Sequence, residues 1–306
     1  MLRVATRASV LARWQAAEVA RLLRLVAPGL VVDVVVTDTV GDRRLDVSIT
    51  ELGGQGVFVK EVQAAVLDGR ADVAVHSAKD LPSITAPGLC LAAVPPRADH
   101  RDALVGTGWD DLGPGAVVAT GSVRRRAQLA WLRPDLSFVG LRGNIATRLE
   151  RCPPGGALVV AAAALDRLGL TDLASHLFAP TVLLPQVGQG ALAVECRAGD
   201  QRVADLVAGI DDPVAHQAVS AERGFLARLG SGCDLPVGAW ATVAGDTVTV
   251  AAMVASADGR VLLRAQGAGH VADPAAVGVA VADHLVVDAG GAALMEPGFA
   301  PAGLTR

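Results

Sequence analysis

The sequence has no tyrosine, and aromatic residues make up only 3% of it. Tyrosine chemistry is therefore excluded. The sequence also has no apolar run that could span a bilayer, because the longest runs, such as 157–165, fall far short of the about 20 residues that a membrane helix needs. Charge appears already at Arg3 and Arg7, too early for the apolar region of a secretory signal. These absences predict a cytoplasmic protein that does not enter a membrane.

Lysine and cysteine are also scarce. Only two of the 27 basic residues are lysine, Lys60 and Lys79. The four cysteines lie far apart, with no C-x-x-C pair and no Cys/His ligand spacing, so neither a disulfide bond nor a metal site is expected. Two of them, Cys90 and Cys196, fall in apolar strand-like segments and are expected in the core.

The chain is acidic, with a net charge of −4, and this gives no overall attraction to nucleic acid. Its arginines are nevertheless concentrated in one region, which suggests that an anionic ligand binds there. The alternative is that some of these arginines simply lie on solvated faces. The clustered arginines are Arg124, Arg125, Arg126, Arg133, Arg142, Arg148, Arg151 and Arg167.

With 306 residues and 52% apolar side chains, the chain can form two or three packed domains. A short buried strand is predicted over 72–75, and His76, Ser77, Lys79 and Asp80 follow it at once. Open α/β sheets place their ligand chemistry at the carboxyl ends of strands, so this polar cluster is a candidate site. The alternative is a surface turn with a neighbouring ion pair, which stabilises little.

Other predicted junctions between a strand and a helix also carry Ser, Thr or Arg. A strand over 2–6 leads through Arg7 and Ser9 into a helix over Val10–Val26, where Ser9 is either a simple N-cap or lies beside a bound anion. Thr120 and Ser122 precede a helix that begins with two arginines. Cations at the N-terminus of a helix are unfavourable unless they and the helix N-terminus bind the same anion. We therefore expect two α/β domains that face each other across an anion-binding cleft.

The composition changes from residue 212 onward. A helix precedes the loop that contains Cys233, and three short strands and a closing helix predict a small α+β domain. The tail from residue 289 is expected to be weakly ordered. Exposed cytosolic thiols are usually avoided unless they are used, so Cys233 is either functional or an incidental loop cysteine. The predicted bounds of these elements are 214–229, 237–243, 247–254, 261–266 and 274–287.

Nine short motifs occur one after another along the chain. They are Arg3-Val-Ala-Thr-Arg-Ala-Ser9, Gly53-Gly-Gln-Gly-Val-Phe58, Val75-His-Ser-Ala-Lys-Asp-Leu-Pro82, Thr120-Gly-Ser-Val-Arg-Arg125, Leu141-Arg-Gly-Asn144, Thr147-Arg148, Leu165-Asp-Arg-Leu-Gly169, Val187-Gly-Gln-Gly-Ala191 and Gly232-Cys-Asp-Leu-Pro236. The ordered set resembles the porphobilinogen deaminase family, also called hydroxymethylbilane synthases. Any one motif is weak, but together they cover nearly the whole chain and are highly specific.

The resemblance implies an α/β fold with three domains. Residues 1–95 with 190–211, and residues 96–189, would form two α/β domains like those of type II periplasmic binding proteins, with the chain crossing between them twice. Residues 212–306 would form a small C-terminal α+β domain with a three-stranded antiparallel sheet. The resemblance also implies a monomeric cytoplasmic enzyme that needs no nucleic acid, membrane or protein partner.

The implied activity is that of a transferase in porphyrin and haem biosynthesis. Four porphobilinogen molecules would condense head to tail with release of ammonia, on a dipyrromethane cofactor held by a thioether to Cys233, to give linear hydroxymethylbilane. Each pyrrole unit carries an acetate and a propionate, which arginine binds bidentately while staying charged. Asp80 would be the catalytic residue, because a carboxylate can stabilise the cation left by the loss of ammonia.

The resemblance implies two further groups of site residues. The cofactor would be bound by Lys79, Ser122, Arg124, Arg125 and Arg148. The substrate would be bound by Arg7, Ser9, Thr120, Arg142 and Arg167, and Phe58 would cover the site as part of a lid.

Three residues depart from the family pattern: Gln55 and Glu51 stand where relatives often have lysine, and Gly121 where they often have serine. Two other classes share a two-lobed fold, namely solute-binding proteins and the effector-sensing domains of transcription regulators. A solute-binding protein would need neither Cys233 nor a third domain, and it would normally carry a signal peptide. A regulator is disfavoured because no helix-turn-helix precedes Leu2.

Overall fold

The computed structural model describes residues 1–37, 59–230 and 235–295. Several predicted site features lie outside these ranges: Phe58, Cys233, and the loop that contains Glu51 and Gln55. The described chain forms two five-stranded mixed sheets and a separate three-stranded antiparallel sheet. Within the described ranges, no helix is both long and apolar enough to cross a membrane.

The first sheet contains four strands from the beginning of the chain and one that returns later. In chain order they are β1 (Leu2–Arg7), β2 (Val32–Thr37), β3 (Val73–Ser77), β4 (Leu89–Ala93) and β10 (Leu192–Arg197). Their order across the sheet is β2-β1-β3-β10-β4, with β1 parallel to β2 and β3, and β10 antiparallel to both of its neighbours. The helices that pack on this sheet are α1 (Val10–Val26), α2 (Lys60–Leu67) and α6 (Gln201–Ala208).

The second sheet lies between the two crossings of the chain. Its strands are β5 (Asp102–Gly106), β6 (Val117–Ala119), β7 (Ser137–Val139), β8 (Ala157–Ala161) and β9 (Ala174–Leu177). They are arranged in the order β7-β6-β8-β5-β9, with β6 parallel to β7 and β8, and β5 antiparallel to β8 and β9. The helices of this unit are α3 (Val123–Leu132), α4 (Ile145–Glu150) and α5 (Ala162–Arg167).

The third unit packs two helices against one antiparallel sheet. Its elements are α7 (Pro213–Arg228), β11 (Val237–Ala244), β12 (Thr247–Ala255), β13 (Leu262–His270) and α8 (Pro274–Asp283). The two helices approach closely because Gly224 and Gly278 present no side chain to each other's helix; a Cβ on Gly278 would lie against the carbonyl oxygen of Ala221. With the two mixed sheets joined by two crossings, this arrangement confirms the predicted fold class.

Local sequence accounts for where the site-bearing helices begin. Ser9 Oγ accepts a hydrogen bond from the backbone N–H of Ala12 at 3.2 Å and caps α1. Ser122 Oγ accepts one from the N–H of Arg125 at 3.4 Å and caps α3. Each serine satisfies a backbone donor that would otherwise lack a partner in the first helical turn. Both predicted N-caps are therefore confirmed.

The structure corrects the sequence-based expectations in three places. The valine-rich sequence of β2 predicts a strand buried on both faces, but β2 is the edge strand, and Val34 and Val36 are 40% and 41% exposed. β9 and α6 were not predicted. The first part of the tail is also ordered, because Gly291–Met295 forms a short 3₁₀ helix in which Leu294 is buried.

A buried carboxylate connects the third unit to both crossings of the chain. Glu222 on α7 is fully buried and accepts hydrogen bonds from two nitrogens of Arg97, at 2.6 and 3.1 Å. It also accepts from the backbone N–H groups of Gly188 and Ala241, at 2.7 and 2.9 Å. Arg97 lies in the first crossing, Gly188 in the second, and Ala241 on β11, so one side chain fixes all three segments relative to one another.

Candidate active site

The Asp80 turn follows β3 directly. The strand ends at Ser77, and a 3₁₀ turn over Ala78–Asp80 follows. Ser77 Oγ accepts a 2.8 Å hydrogen bond from Gln15 Nε2 of α1, and the N–H of Ala78 donates to the carbonyl of Ala191 at 3.0 Å. The turn is therefore held from two sides, by α1 and by the segment that leads into β10.

A small cavity of about 50 Å³, open to solvent, lies at this turn. Its walls include Arg7, Ser9, Gln15, His76 and Asp80. Asp80 accepts no hydrogen bond from any residue in the described ranges, so within these ranges no protein donor competes with a ligand for its carboxylate oxygens. The structure thus brings together Arg7, Ser9 and Asp80, three residues that the sequence placed in the site.

Gly188 packs closely against the backbone of the Asp80 turn. It has a φ of +71°, and a Cβ there would lie 2.9 Å from the carbonyl carbon of Ala78 and 3.0 Å from the nitrogen of Lys79. Both the backbone conformation and the close approach require glycine. This explains why the Val187-Gly-Gln-Gly-Ala191 motif, which comes from a distant part of the chain, belongs to the site.

His76 is buried beneath the cavity and faces a carboxylate. Its Nε2 lies 3.2 Å from Glu195 Oε2 on β10, and Gln63 Nε2 of α2 donates to the same oxygen at 2.9 Å. Burial would raise the pKa of Glu195, but His76, Gln63 and the charge of Arg223 lower it below its usual range. Glu195 therefore remains ionised and ties the wall of the cavity to α2 and β10.

Lys79 lies among charges of both signs. Burial of its ammonium group, followed by repulsion from Arg125, lowers the pKa of Lys79 to about 8, while attraction by Asp80 and Asp102 opposes this change. Arg124 adds a smaller repulsion in the same direction as Arg125. The Asp80 turn of the first unit thus lies within electrostatic range of the arginine helix α3 of the second.

Arg124 and Arg125 converge on one internal anion, Asp102. Arg125 donates to Asp102 Oδ1 through Nε at 3.0 Å and through Nη2 at 2.7 Å, and Arg124 Nη1 lies 2.8 Å from Oδ2. Burial would raise the pKa of Asp102, but the two guanidinium groups hold it well below its usual range. The sequence suggested an anion shared between the arginines and the helix end, whereas the structure shows an internal carboxylate shared by the two guanidinium groups.

Sequence reasoning missed Asp102. Gln189 also donates to its Oδ1, at 2.9 Å, so the second crossing meets the arginine helix at this carboxylate. Asp102 has no exposed surface and begins β5, whose other residues are mostly apolar. A lone aspartate at the start of an apolar strand was the available signal, because a buried carboxylate requires a cationic partner.

The segment before α3 places three more predicted groups. Thr120 is buried, and its Oγ1 accepts a hydrogen bond from the N–H of Ser122 at 3.2 Å. Gly121 lies so close to Leu141, which follows β7, that a Cβ on Gly121 would lie 2.6 Å from the carbonyl oxygen of Leu141. The departure at Gly121 therefore accompanies a close backbone approach. A second cavity, of about 200 Å³, is lined by Thr120, Ser122 and Arg126, among others.

The next two predicted arginines come from the β7–α4 region. Arg148 donates through Nε to the carbonyl of Gly143 at 2.8 Å. Burial and then repulsion by Arg125 lower the pKa of Arg148, whereas Asp80 raises it. Arg142 also repels Arg148, so both arginines lie in the same charged region. Arg148 therefore lies within electrostatic range of Asp80.

Arg167 joins the second unit to the first. It is only 8% exposed, and its Nη2 donates to the carbonyl of Gly190 at 2.7 Å. The guanidinium carbon lies 5.7 Å from the centre of the Trp14 ring on α1, within the range of a cation–π contact. Glu18, one turn further along α1, attracts the same guanidinium. Arg167 thus lies at the contact between the two α/β units.

The chain is similar to known proteins over most of its length. Residues 2–205 match the family model for the porphobilinogen deaminase dipyromethane cofactor binding domain, and residues 216–286 match the model for the porphobilinogen deaminase C-terminal domain. The chain is 48% identical to the porphobilinogen deaminase of Roseiflexus castenholzii, over 96% of this chain and 98% of that protein. It is 47% identical to that of Syntrophotalea carbinolica, over 93% of this chain and 92% of that protein.

The similarity to solved structures is low in both TM-score and sequence identity. The periplasmic VFT2 domain of BvgS from Bordetella pertussis has a TM-score of 0.37 and 18% identity, over 68% of this chain and 86% of that domain. The family models, by contrast, cover most of the sequence, and the relatives match it from end to end at high identity. The chain therefore belongs to the porphobilinogen deaminase family.

Proposed function

We propose that this protein is a hydroxymethylbilane synthase. It condenses four porphobilinogen molecules head to tail, releases ammonia at each step, and hydrolyses the linear tetrapyrrole from a covalently bound dipyrromethane. The observation that carries the proposal is a buried excess of positive charge around Asp80. Porphobilinogen, the substrate of this family, bears two carboxylates, and a chain of such units would neutralise this charge.

The charge excess can be counted from the neighbours of Lys79 and Arg148. Four cations lie in one electrostatic cluster, and they share two carboxylates, Asp80 and Asp102. Among the described residues, two of these four positive charges thus lack a counter-charge in the cluster when Lys79 is protonated. Buried charges are costly unless they are paired. The four cations are Lys79, Arg124, Arg125 and Arg148.

The residues present fit a dipyrromethane. Arg124 is 3% exposed, and two of its nitrogens, Nε and Nη2, are buried without a hydrogen-bond partner among the described residues. Such donors suit a carboxylate, which accepts charge-assisted hydrogen bonds from guanidinium nitrogens. We propose that Lys79, Ser122, Arg124, Arg125 and Arg148 hold the cofactor. When bound, this group supplies the terminal pyrrole to which substrate is joined.

We propose Cys233 as the residue that carries the cofactor through a thioether. The three other cysteines are free thiols that are buried or half-buried. Burial raises the pKa of Cys152, and burial together with Cys90 raises the pKa of Cys196 to about 12. Neither forms a thiolate readily at neutral pH, and the thiolate is the reactive form. Cys233 lies outside the described residues, and we assign it to the cofactor because the Gly232-Cys-Asp-Leu-Pro236 motif resembles that of the family.

We assign catalysis to Asp80. When ammonia leaves porphobilinogen, the bond between its nitrogen and the methylene carbon breaks, both electrons depart with nitrogen, and the substrate becomes a cation. A carboxylate without other hydrogen bonds can lie beside the pyrrole N–H and stabilise that charge where it develops. It can also accept a proton. Asp80 lines the open cavity and meets these requirements.

Substrate carboxylates would be bound by the remaining predicted groups. Arg7 and Ser9 share the cavity with Asp80, which supports their assignment. Arg167 lies at the contact between the two units, where it could bind a substrate that enters between them. Thr120 and Arg142 belong to the second unit, whereas Phe58 lies outside the described residues. We propose these roles together with the lid function of Phe58.

The three sheets support the domain division proposed from the sequence: 1–95 with 190–211, 96–189, and 212–306. We further propose a monomeric cytoplasmic enzyme that requires no nucleic acid or protein partner. Sedimentation of the purified protein over a range of concentrations tests the monomer. A stable dimer at low micromolar concentration would contradict it.

The mass of the purified protein tests the enzyme assignment. Active protein should weigh more than its sequence and turn pink with acidic dimethylaminobenzaldehyde, because it carries a covalent dipyrrole. Cys233→Ser should lose the extra mass, the colour and the activity, whereas the matched control Cys152→Ser should keep all three. Active protein with an unmodified mass would contradict both the cofactor and the proposed reaction.

A further inference from the structure

We propose that Asp102 is a positioning residue of the active site: it holds the guanidinium groups of Arg124 and Arg125 in the place where ligand carboxylates are bound. The inference rests on the proposed function, since it concerns the binding of anionic pyrroles. Asp102 itself is fully buried and need not touch any ligand. Its task is to fix two cations that the ligand does touch.

The two arginines that contact Asp102 differ in how many of their guanidinium nitrogens the protein binds. Arg125 has both Nε and Nη2 on Asp102, and its Nη1 donates to the carbonyl of Val159 at 3.1 Å. Every nitrogen of this guanidinium is thus engaged by the protein. Arg124 uses only Nη1, which lies 2.8 Å from Asp102 and donates to the carbonyl of Leu184. Its Nε and Nη2 are buried without a hydrogen-bond partner among the described residues, so they can donate to a ligand carboxylate.

Asp102 also links the arginine helix to the second crossing of the chain. Gln189 Nε2 donates to Asp102 Oδ1 at 2.9 Å and to the carbonyl of His100 at 2.8 Å. Its neighbour Gly188 packs against the backbone of Lys79. A displacement of the Asp102 carboxylate would therefore reach the arginines on one side and the Asp80 turn on the other.

Electrostatics add to this positional argument. A second anion in the cluster reduces the mutual repulsion of the cations, and Asp102 specifically favours the charged form of Lys79. Replacing Asp102 by asparagine keeps the shape but removes this charge. The two hydrogen bonds that Arg125 donates to Oδ1 then weaken, because hydrogen bonds to an ionised acceptor are about twice as strong as those to a neutral one.

The test compares Asp102→Asn with a matched control, Asp72→Asn. Asp72 is also a buried carboxylate that binds arginine, with Arg3 at 2.8 Å and Arg197 at 3.7 Å, but it lies at the opposite end of β3 from Asp80. Both variants should lose thermal stability. Only Asp102→Asn should purify with incomplete cofactor by intact mass and show a KM for porphobilinogen raised about tenfold or more, as expected when a buried charge pair at a binding site is broken.

A milder variant keeps the proposal testable if Asp102→Asn does not fold. Gln189→Leu removes one hydrogen bond to Asp102 without changing charge, and it should raise KM about threefold to tenfold with little change in kcat. Full cofactor loading with an unchanged KM in either folded variant would overturn the positioning role, and so would an equal rise of KM in Asp72→Asn. Failure of the proposed function looks different: the wild-type protein itself would then lack the added mass.

Discussion

Raising the pH through 8 should remove the positive charge of Lys79 in protein that lacks the cofactor. Burial and repulsion by Arg125 lower the pKa of Lys79 from 10.5 to about 8, and Asp80 and Asp102 oppose this only in part. The difference corresponds to roughly 3 kcal/mol against the charged form. Because the unfolded chain binds this proton more tightly than the folded one, the free energy of unfolding should rise between pH 8 and pH 10.5.

The scarcity of lysine makes this titration directly measurable. Only Lys60 and Lys79 carry side-chain amines, so reductive methylation with ¹³C-formaldehyde gives two lysine signals besides the chain terminus. A Lys60→Arg variant identifies the signal of Lys79. The measurement uses Cys233→Ser protein, which should carry no cofactor, and follows the chemical shift of that signal from pH 6 to pH 11.

The protein with its cofactor provides the second half of the test. A carboxylate placed beside Lys79 favours the ammonium form, so the pKa of Lys79 should be higher in the loaded enzyme than in Cys233→Ser. A midpoint above about 10 in the Cys233→Ser protein would refute the burial of this ammonium group. Equal midpoints in the two proteins would refute Lys79 as a ligand of the cofactor.

Three further variants test other parts of the site. Asp80→Ala should fold normally but lower kcat by about 10³-fold or more in a porphobilinogen turnover assay, because the developing cation loses its counter-charge; near-normal turnover would remove Asp80 from the mechanism. Gly188→Ala should lower both stability and kcat, since its Cβ would meet the Asp80 turn at 2.9 Å, whereas the control Gly113→Ala meets nothing within 4 Å and should change neither. Glu222→Gln should lower the free energy of unfolding by roughly 3 kcal/mol in urea titrations, because a buried charge pair with Arg97 is broken; a loss below about 1 kcal/mol would show that the crossings do not depend on it.

Sequence patterns were sufficient to predict those features that depend on residues close together in the sequence. The polar turn after β3 could be predicted because His76 and Ser77 at the end of a buried strand, and Lys79 and Asp80 just after it, stand close together in the sequence. The caps of α1 and α3 could be predicted because Ser9 and Ser122 stand immediately before helical patterns. The first crossing could be predicted because the strand pattern stops and the proline- and charge-rich segment 95–102 follows. In each case the determining residues lie within a few positions of one another.

Long-range partners could not be predicted in the same way. Nothing near Arg124 or Arg125 in the sequence indicates that Asp102 is their shared anion, because that contact depends on how β5 and α3 pack. β2 was judged by its valines alone, but its position at the edge of the sheet, rather than its composition, decides its exposure. The reason for Gly188 likewise becomes visible only when the second crossing is seen to pack against Lys79.

Asp80 and Asp102 lie in one cluster of cations, yet their surroundings give them opposite tasks. Asp102 is fully buried and already accepts hydrogen bonds from Arg125 and Gln189, so it cannot respond to a new charge. Asp80 lines the cavity and accepts no hydrogen bond within the described ranges, so a cation that forms there can bind to it. The loss of Asp102 should therefore weaken binding and raise KM, whereas the loss of Asp80 should slow turnover and lower kcat. A variant of either residue with the other's kinetic signature would show that this division of roles is wrong.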